Sequence, residues 1–288
     1  MVYPVFSGPL AFTAKRPLLL DFDRGSYRAV NRTDYVRVDK WEDVVGITAE
    51  DIKNFDTIIL DTAGQMLAVM VNYLQANNKS AVRKNTGELS IQGYGILKSM
   101  FDTFMNRLIQ MGKDVILIAH DKEQKIDDEN TLIKPDVVGG SYQIIKRSMD
   151  LIGYVNVDDK GSRILEFNST AKTVGKNCAN FSTLQVPDAI KGHNEYSGYL
   201  ANLIQQAKDF INVQCKSGKD LFDFRRKIIE ATEPEQLDAI ANELSALKDK
   251  DENFKSMIRA IMRADIVAKN IAYNKEAGKF YRKEEGVA

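Results

Sequence analysis

Short apolar runs alternate along the chain with longer stretches in which apolar residues recur three and four apart, the pattern of a sheet with helices on its faces. The runs PLLLDFD (17–23), YVRV (35–38), TIILD (57–61), DVILIAH (114–120), LIGYVNV (151–157) and RILEFN (163–168) read as strands. The first four read as parallel and the last two as a hairpin around VDDKGS. Between them AGQMLAVMVNYLQAN and YGILKSMFDTFMNRLIQMG carry helical periodicity, the second stopped by Gly112. The expected class is α/β, with a mostly parallel central sheet flanked by helices.

Two segments break the rhythm. Residues 77–95 and 121–141 are polar, contain glycine and are too long for ordinary connections, so both are expected to be functional or disordered loops. Beyond about residue 213 the chain turns highly charged and helix-forming, with Glu233 and Pro234 opening a new helix. The expected division is therefore a core over 1–212 and a C-terminal helical domain or arm over 213–288, joined through NVQCKSGKD.

Composition narrows the function classes. The chain has 288 residues, enough for one large core and a smaller appendage. Lys plus Arg and Asp plus Glu are both 40, so no global basic field draws the protein to nucleic acid or an anionic membrane, and DNA binding must use local patches. Two cysteines far apart and two histidines cannot build a common zinc site. No apolar run approaches a membrane span, and no charged lead precedes a long apolar segment at the N-terminus. A cytoplasmic chain without membrane contact is expected.

The chemistry sits at strand ends. TIILDTAG places apolar residues before Asp61, the arrangement in which a buried strand fixes a carboxylate that holds magnesium. A strand-end acid that caps the next helix carries the same signature. DVILIAHD ends in His120 and Asp121, where an imidazole can hydrogen-bond a terminal phosphate or be satisfied by a neighbouring carboxylate. With LLLDFD, three strands end in polar groups, and in open parallel sheets ligands lie beyond the carboxyl ends.

RPLLLDFDRGSYRA, FDTIILDTAGQML, LSIQGYGILKSMFDTFMNRLIQMGKDVILIAHDKE, IKPDVVGGSYQIIKRSMDLIGYV and FNSTAKTVGKN resemble the RecA-like ATP-binding proteins of phages and prophages. These include the Sak-type recombination proteins of single-strand annealing, and the resemblance covers roughly residues 16–190. It implies a RecA-like P-loop NTPase core that binds ATP and magnesium in the bacterial host cytoplasm. Asp23, with Asp21 beside it, takes the place of the acid that activates the attacking water. Asp61 matches the Walker B magnesium acid, and His120 the sensor that couples the terminal phosphate to a DNA-binding loop. The implied DNA contacts are Lys122, Lys125 and Lys134 in that loop, with Lys79, Arg83 and Lys84 on backbone and Tyr94 stacked on a base. A solvated surface is the alternative for these cations. Lys172 and Lys176 would reach a nucleotide on a neighbouring subunit, so a homo-oligomer on single-stranded DNA is implied, with phage or host recombination proteins as further partners.

One required part is missing. The G-x-x-x-x-G-K-[ST] loop, whose amides cradle phosphates while its Lys and hydroxyl reach the β and γ groups and magnesium, should precede the Asp23 strand. The chain has only MVYPVFSGPLAFTAKRPLLLDFD there, and too few residues separate Gly8 from Arg16 for a loop and its helix. Lys15 adjoins the strand and cannot replace the loop lysine. A degenerate member, an altered gene start and an unusual local path all give this gap. Two functions compete: a recombination or annealing protein with impaired ATPase activity, and an inactive NTPase-fold scaffold assembling through C-terminal helices such as LDAIANELSALKD.

Overall fold

The computed structural model describes residues 2–3, 7–29, 31–127, 130–138, 140–189, 192–248, 250 and 252–283. The chain divides into two compact units, Met1–Lys208 and Asp209–Ala288.

The first unit is built on strands β1 (Val2–Tyr3), β2 (Pro17–Asp21), β3 (Asp34–Arg37), β4 (Thr57–Asp61), β5 (Asp114–Ile118), a separate hairpin of β6 (Asp121–Lys125) and β7 (Thr131–Pro135), then β8 (Leu151–Val157), β9 (Arg163–Glu166), β10 (Lys176–Asn177) and β11 (Leu184–Gln185). The main sheet runs β11-β9-β8-β1-β5-β4-β2-β3, with β10 also on β8. Every pairing from β3 through to β8 is parallel, while β8 and β9 are antiparallel. Its helices are α1 (Ser7–Ala11), α2 (Glu42–Val45), α3 (Ala63–Asn77), α4 (Ile91–Gln110), α5 (Ser141–Ser148), α6 (His193–Tyr196) and the start of α7 (Tyr199–Glu230).

The unbroken apolar character of LLL and IIL follows from burial on both faces. Leu18, Leu20, Ile58 and Leu60 pack with Met66, Leu67, Leu97 and Phe101 of α3 and α4. Leu19, Ile59, Ile116 and Ile118 face the other way, against Leu10 and Ala11 of α1 and Leu200 and Leu203 of α7. Gly112 ends α4 at φ +72, a left-handed conformation that costs glycine little.

In their described residues the two long polar segments carry regular structure. In the first, Asn78 caps a single 3₁₀ turn at Lys79–Ala81, and Val82 bridges Leu89. Helix α4 starts at Ile91, because Ser90 accepts the Gly93 amide at 3.1 Å. Gly93 lets the two pieces touch: a Cβ there would stand 2.1 Å from the Ala81 carbonyl oxygen. In the second, β6 and β7 pair over five rungs, from Asp121↔Pro135 to Lys125↔Thr131. The Ile133 amide donates to the Lys172 carbonyl at 2.7 Å, tying this hairpin to the 172–174 segment.

The second unit holds the rest of α7, α8 (Pro234–Ala246), α9 (Glu252–Ala268) and a hairpin of β12 (Ile271–Asn274) and β13 (Lys279–Arg282). NVQCKSGKD, expected as a joint, lies wholly inside α7, and a unit boundary at 208/209 replaces the expected 212/213. Polar residues and a lone Gly218 do not stop a helix that lacks a proline or a capping signal. Glu233 and Gln236 form a capping box at the start of α8. Leu237, Ile240 and Leu244 of α8 are buried with Ile258, Met262 and Ile271, so the apolar face of LDAIANELSALKD is spent within its own unit. Among the described residues no helix is long and apolar enough to cross a membrane.

Candidate functional site

Asp21 and Asp61 are direct neighbours across β2 and β4, and Ile118 of β5 pairs with Asp61. Asp23 and His120 each lie two residues beyond that row, so all four share the carboxyl rim of three adjacent parallel strands. The Asp61 carbonyl accepts the amides of Phe22 at 2.8 Å and Asp23 at 3.1 Å, which locks the turn after β2 onto the end of β4. The His120 carbonyl likewise accepts the Asp136 amide at 2.8 Å and anchors the far side of the β6–β7 hairpin.

The three acids do different work. Asp21 is only 2% exposed. Its two oxygens accept the amides of Gly25 and Ser26, both at 3.1 Å, so it closes the 22–26 turn from within. Asp23 opens toward solvent, with Arg28 at 3.8 Å. Asp61 does not cap α3, since the Thr62 hydroxyl accepts the Gln65 amide and fills that role. The peptide joining Asp61 to Thr62 is cis. Burial pushes the Asp61 carboxyl up to about 7, with the Asp23 and Asp21 charges adding to the rise and Arg28 opposing it. Arg28 escaped the sequence reading; its only signal there was the arginine closing RGSYR after the strand-end acids.

The remaining residues read from the sequence are spread over other parts of the unit. Lys176 donates to the Lys146 carbonyl at 3.0 Å and the Arg147 carbonyl at 3.3 Å, capping α5, whereas Lys172 is exposed. Lys122 pairs with Asp136 at 3.5 Å, Lys134 donates to Gln124, and Lys125 is exposed on β6. Arg83 pairs with Glu88 at 3.6 Å, while Lys79 and Lys84 are exposed and Tyr94 stands half-exposed in the first turn of α4.

Whether a magnesium nucleotide fits turns on the space before Asp61. Asp61 and Asp23 are the right donor type, but magnesium takes only one or two carboxylates and relies on the phosphates for the rest of its shell. The sequence between β1 and β2 holds no G-x-x-x-x-G-K-[ST] motif, the source of the amide cradle, lysine and hydroxyl that seat those phosphates. The position of a Cβ on Gly8 is 3.7 Å from Asp61 Oδ2, so the start of α1 stands against the acid. Lys15 is at the opposite rim, paired with Asp56 at 3.4 Å and separated from the Asp21–Asp61 row by the length of β2, about 13 Å. These residues do not fit a nucleotide held in the usual phosphate-loop manner.

Strand β1 lies between β5 and β8, so the first strand in sequence is central in space, and the acids sit on the strands to one side of it. No curated protein matches the chain. A family model described as an AAA domain matches residues 9–179, beginning just after Gly8 and taking in the three rim acids, His120 and the β6–β7 hairpin. Over that majority of its length, the chain belongs to the AAA-domain family of P-loop NTPases, whose members bind nucleotide and, as a rule, magnesium.

Proposed function

We propose that this AAA-domain protein acts in DNA recombination or single-strand annealing, in the manner of the phage RecA-like proteins its sequence resembles, with nucleotide hydrolysis impaired. The observation that carries the reading is the rim itself: Asp23 and Asp61 stand together beyond β2 and β4 while α1 occupies the approach to Asp61. Acids at these strand ends suit the family's chemistry, and the sequence between β1 and β2 holds no motif to seat the phosphates. What supports a DNA role is the β6–β7 hairpin, exposed along β6 and half-buried along β7, carrying Lys122, Lys125 and Lys134 and anchored at one end by His120 and at Ile133 by the 172–174 segment. The scaffold reading loses its surface on α8, whose apolar face is buried.

Two measurements on the full chain test this. Labelled single-stranded oligonucleotide should be retained at low salt and released as salt rises. Millimolar magnesium-ATP should leave the melting temperature unchanged, because a ligand that does not bind the folded state cannot stabilise it. Absence of salt-dependent retention removes the DNA role. A clear rise in melting temperature with ATP reinstates a working nucleotide site by another local path.

A further inference from the structure

The geometry points to a single-stranded nucleic-acid contact on the β12–β13 hairpin of the second unit, centred on Tyr281 between Lys279 and Lys283. The register pairs Ile271 with Arg282, Ala272 with Tyr281, Tyr273 with Phe280 and Asn274 with Lys279. Paired residues share a face and faces alternate along each strand, so the hairpin has two unlike sides. The inner side holds buried Ile271, Phe280 against the core, Tyr273 stacked on Phe280 with ring centroids 4.9 Å apart, and Arg282 bound to Glu233 at 2.9 Å. The outer side holds Lys279, Tyr281 and, one step on, Lys283, whose amide donates to the Asn270 carbonyl at 3.0 Å. Opposite them stand only Asn274, Ala272 and Asn270, which are too small to cover a ring.

Two features mark this strip. Several cations of the unit are taken, as Lys227 is by Glu243, Lys250 by Asp220 and Lys269 by Asp265. Among the described residues no acid pairs with Lys279 or Lys283. Tyr281 is 49% exposed, and among the described residues its ring has no aromatic partner. The two lysines are four residues apart, about 13 Å along the strand, with the ring midway. A single strand laid along β13 places backbone phosphates on the ammonium groups and a base on the ring. Stacking of this kind suits any base, since each has a π-face.

The site lies outside the matched AAA-domain segment and outside the cations of 79–84 and 122–134, but it rests on the proposed DNA role for its class of ligand. The test is fluorescence anisotropy of labelled oligo-dT with the full chain, from about 50 to about 200 mM salt. Tyr281→Ala should weaken binding at least about five-fold while Tyr281→Phe, which keeps the π-face, stays near the parent. The Lys279→Ala/Lys283→Ala variant should lower the log–log salt slope by about 1.4, the release expected for two phosphate contacts on a single strand. All these side chains are exposed, so unchanged melting temperatures certify the fold. A Lys122→Ala/Lys125→Ala/Lys134→Ala variant separates the two units. If it abolishes binding and the hairpin variants do nothing, the hairpin site is overturned and the core DNA role stands. If only the hairpin variants weaken binding, the site is supported and the core contacts fall. No binding by the parent chain overturns both, as does capture by anionic phosphatidylserine vesicles without oligonucleotide binding.

Discussion

Replacing Asp61 by Asn should stabilise the protein, and only above a particular pH. In the folded chain burial lifts the Asp61 carboxyl from 3.8 to about 7, helped by Asp23 and Asp21. Between those values the unfolded chain has lost the proton and the folded chain still holds it. The unfolded state therefore binds fewer protons, and stability falls as pH rises from about 4 to about 7, then levels off. At about 1.4 kcal/mol per pH unit the accumulated loss is roughly 2 to 4 kcal/mol, the lower figure allowing for water that reaches the partly open rim. Asn has nearly the same shape and no charge, so the variant escapes this loss. Melting curves of both proteins at pH 4.5, 6 and 8 would isolate the effect, since the other titrating groups are common to both. The two should lie closest at pH 4.5, where at most about 1 kcal/mol of the loss has set in, and the variant should melt higher at pH 8 by roughly 5 to 15 °C for a unit of this size. An Asp61→Asn protein destabilised equally at every pH would refute the reasoning. So would an advantage that shrinks as pH rises.

Asp23→Asn removes the like charge that raises Asp61 more, so the Asp61 carboxyl should titrate at lower pH, and the fall in stability should end earlier on the same melting-versus-pH curve. Gly93→Ala drives a Cβ to within 2.1 Å of the Ala81 carbonyl, so the start of α4 must move away; urea unfolding should show a loss of several kcal/mol, roughly 3 or more, where an ordinary helical Gly→Ala change would be neutral or better. Thr13→Val keeps the shape but strips a buried hydroxyl that donates to the Leu10 carbonyl at 2.7 Å and accepts the Leu200 amide at 3.0 Å. It should cost about 2 kcal/mol in the same assay, with Thr13→Ser recovering most of it.

What was legible in the sequence depended on what each segment buries. PLLLD, TIILD and DVILI announce themselves because both faces of a parallel strand are covered and the apolar run is unbroken. DKEQK of β6 does not, because all five residues are exposed and no period-two signal survives; only hydrogen bonds hold it to TLIKP. KFYR of β13 hides in a charged tail for a related reason, since only one of its faces meets a core. At the site, strand-end acids were visible as residue types, but their division of labour was not. That Asp21 feeds two turn amides, or that Thr62 relieves Asp61 of capping α3, depends on side-chain direction at a bend, which spacing alone does not encode. The influence of Arg28 on Asp61 depends on a turn that folds it back toward the rim.

With no phosphate-loop motif between β1 and β2, the core must still cover the sheet face over which the first crossover runs. Among the described residues between β1 and β2 there is a single short helix, and Leu10, Ala11, Phe12 and Ala14 cover part of that face. The rest falls to α7, whose Leu200 and Leu203 pack in the same cluster as Leu19, Ile59 and Ile118. Thr13 joins the two pieces: its hydroxyl accepts the Leu200 amide and its carbonyl accepts the Ala201 amide at 3.1 Å, satisfying donors at the start of α7 that its own first turn cannot. The shortened crossover thus ends in a cap for a helix that begins almost two hundred residues later in sequence. Such an arrangement keeps the acid-bearing strands packed on both faces, which is why Asp61 is buried and its carboxyl is shifted although no phosphate-loop motif stands between β1 and β2.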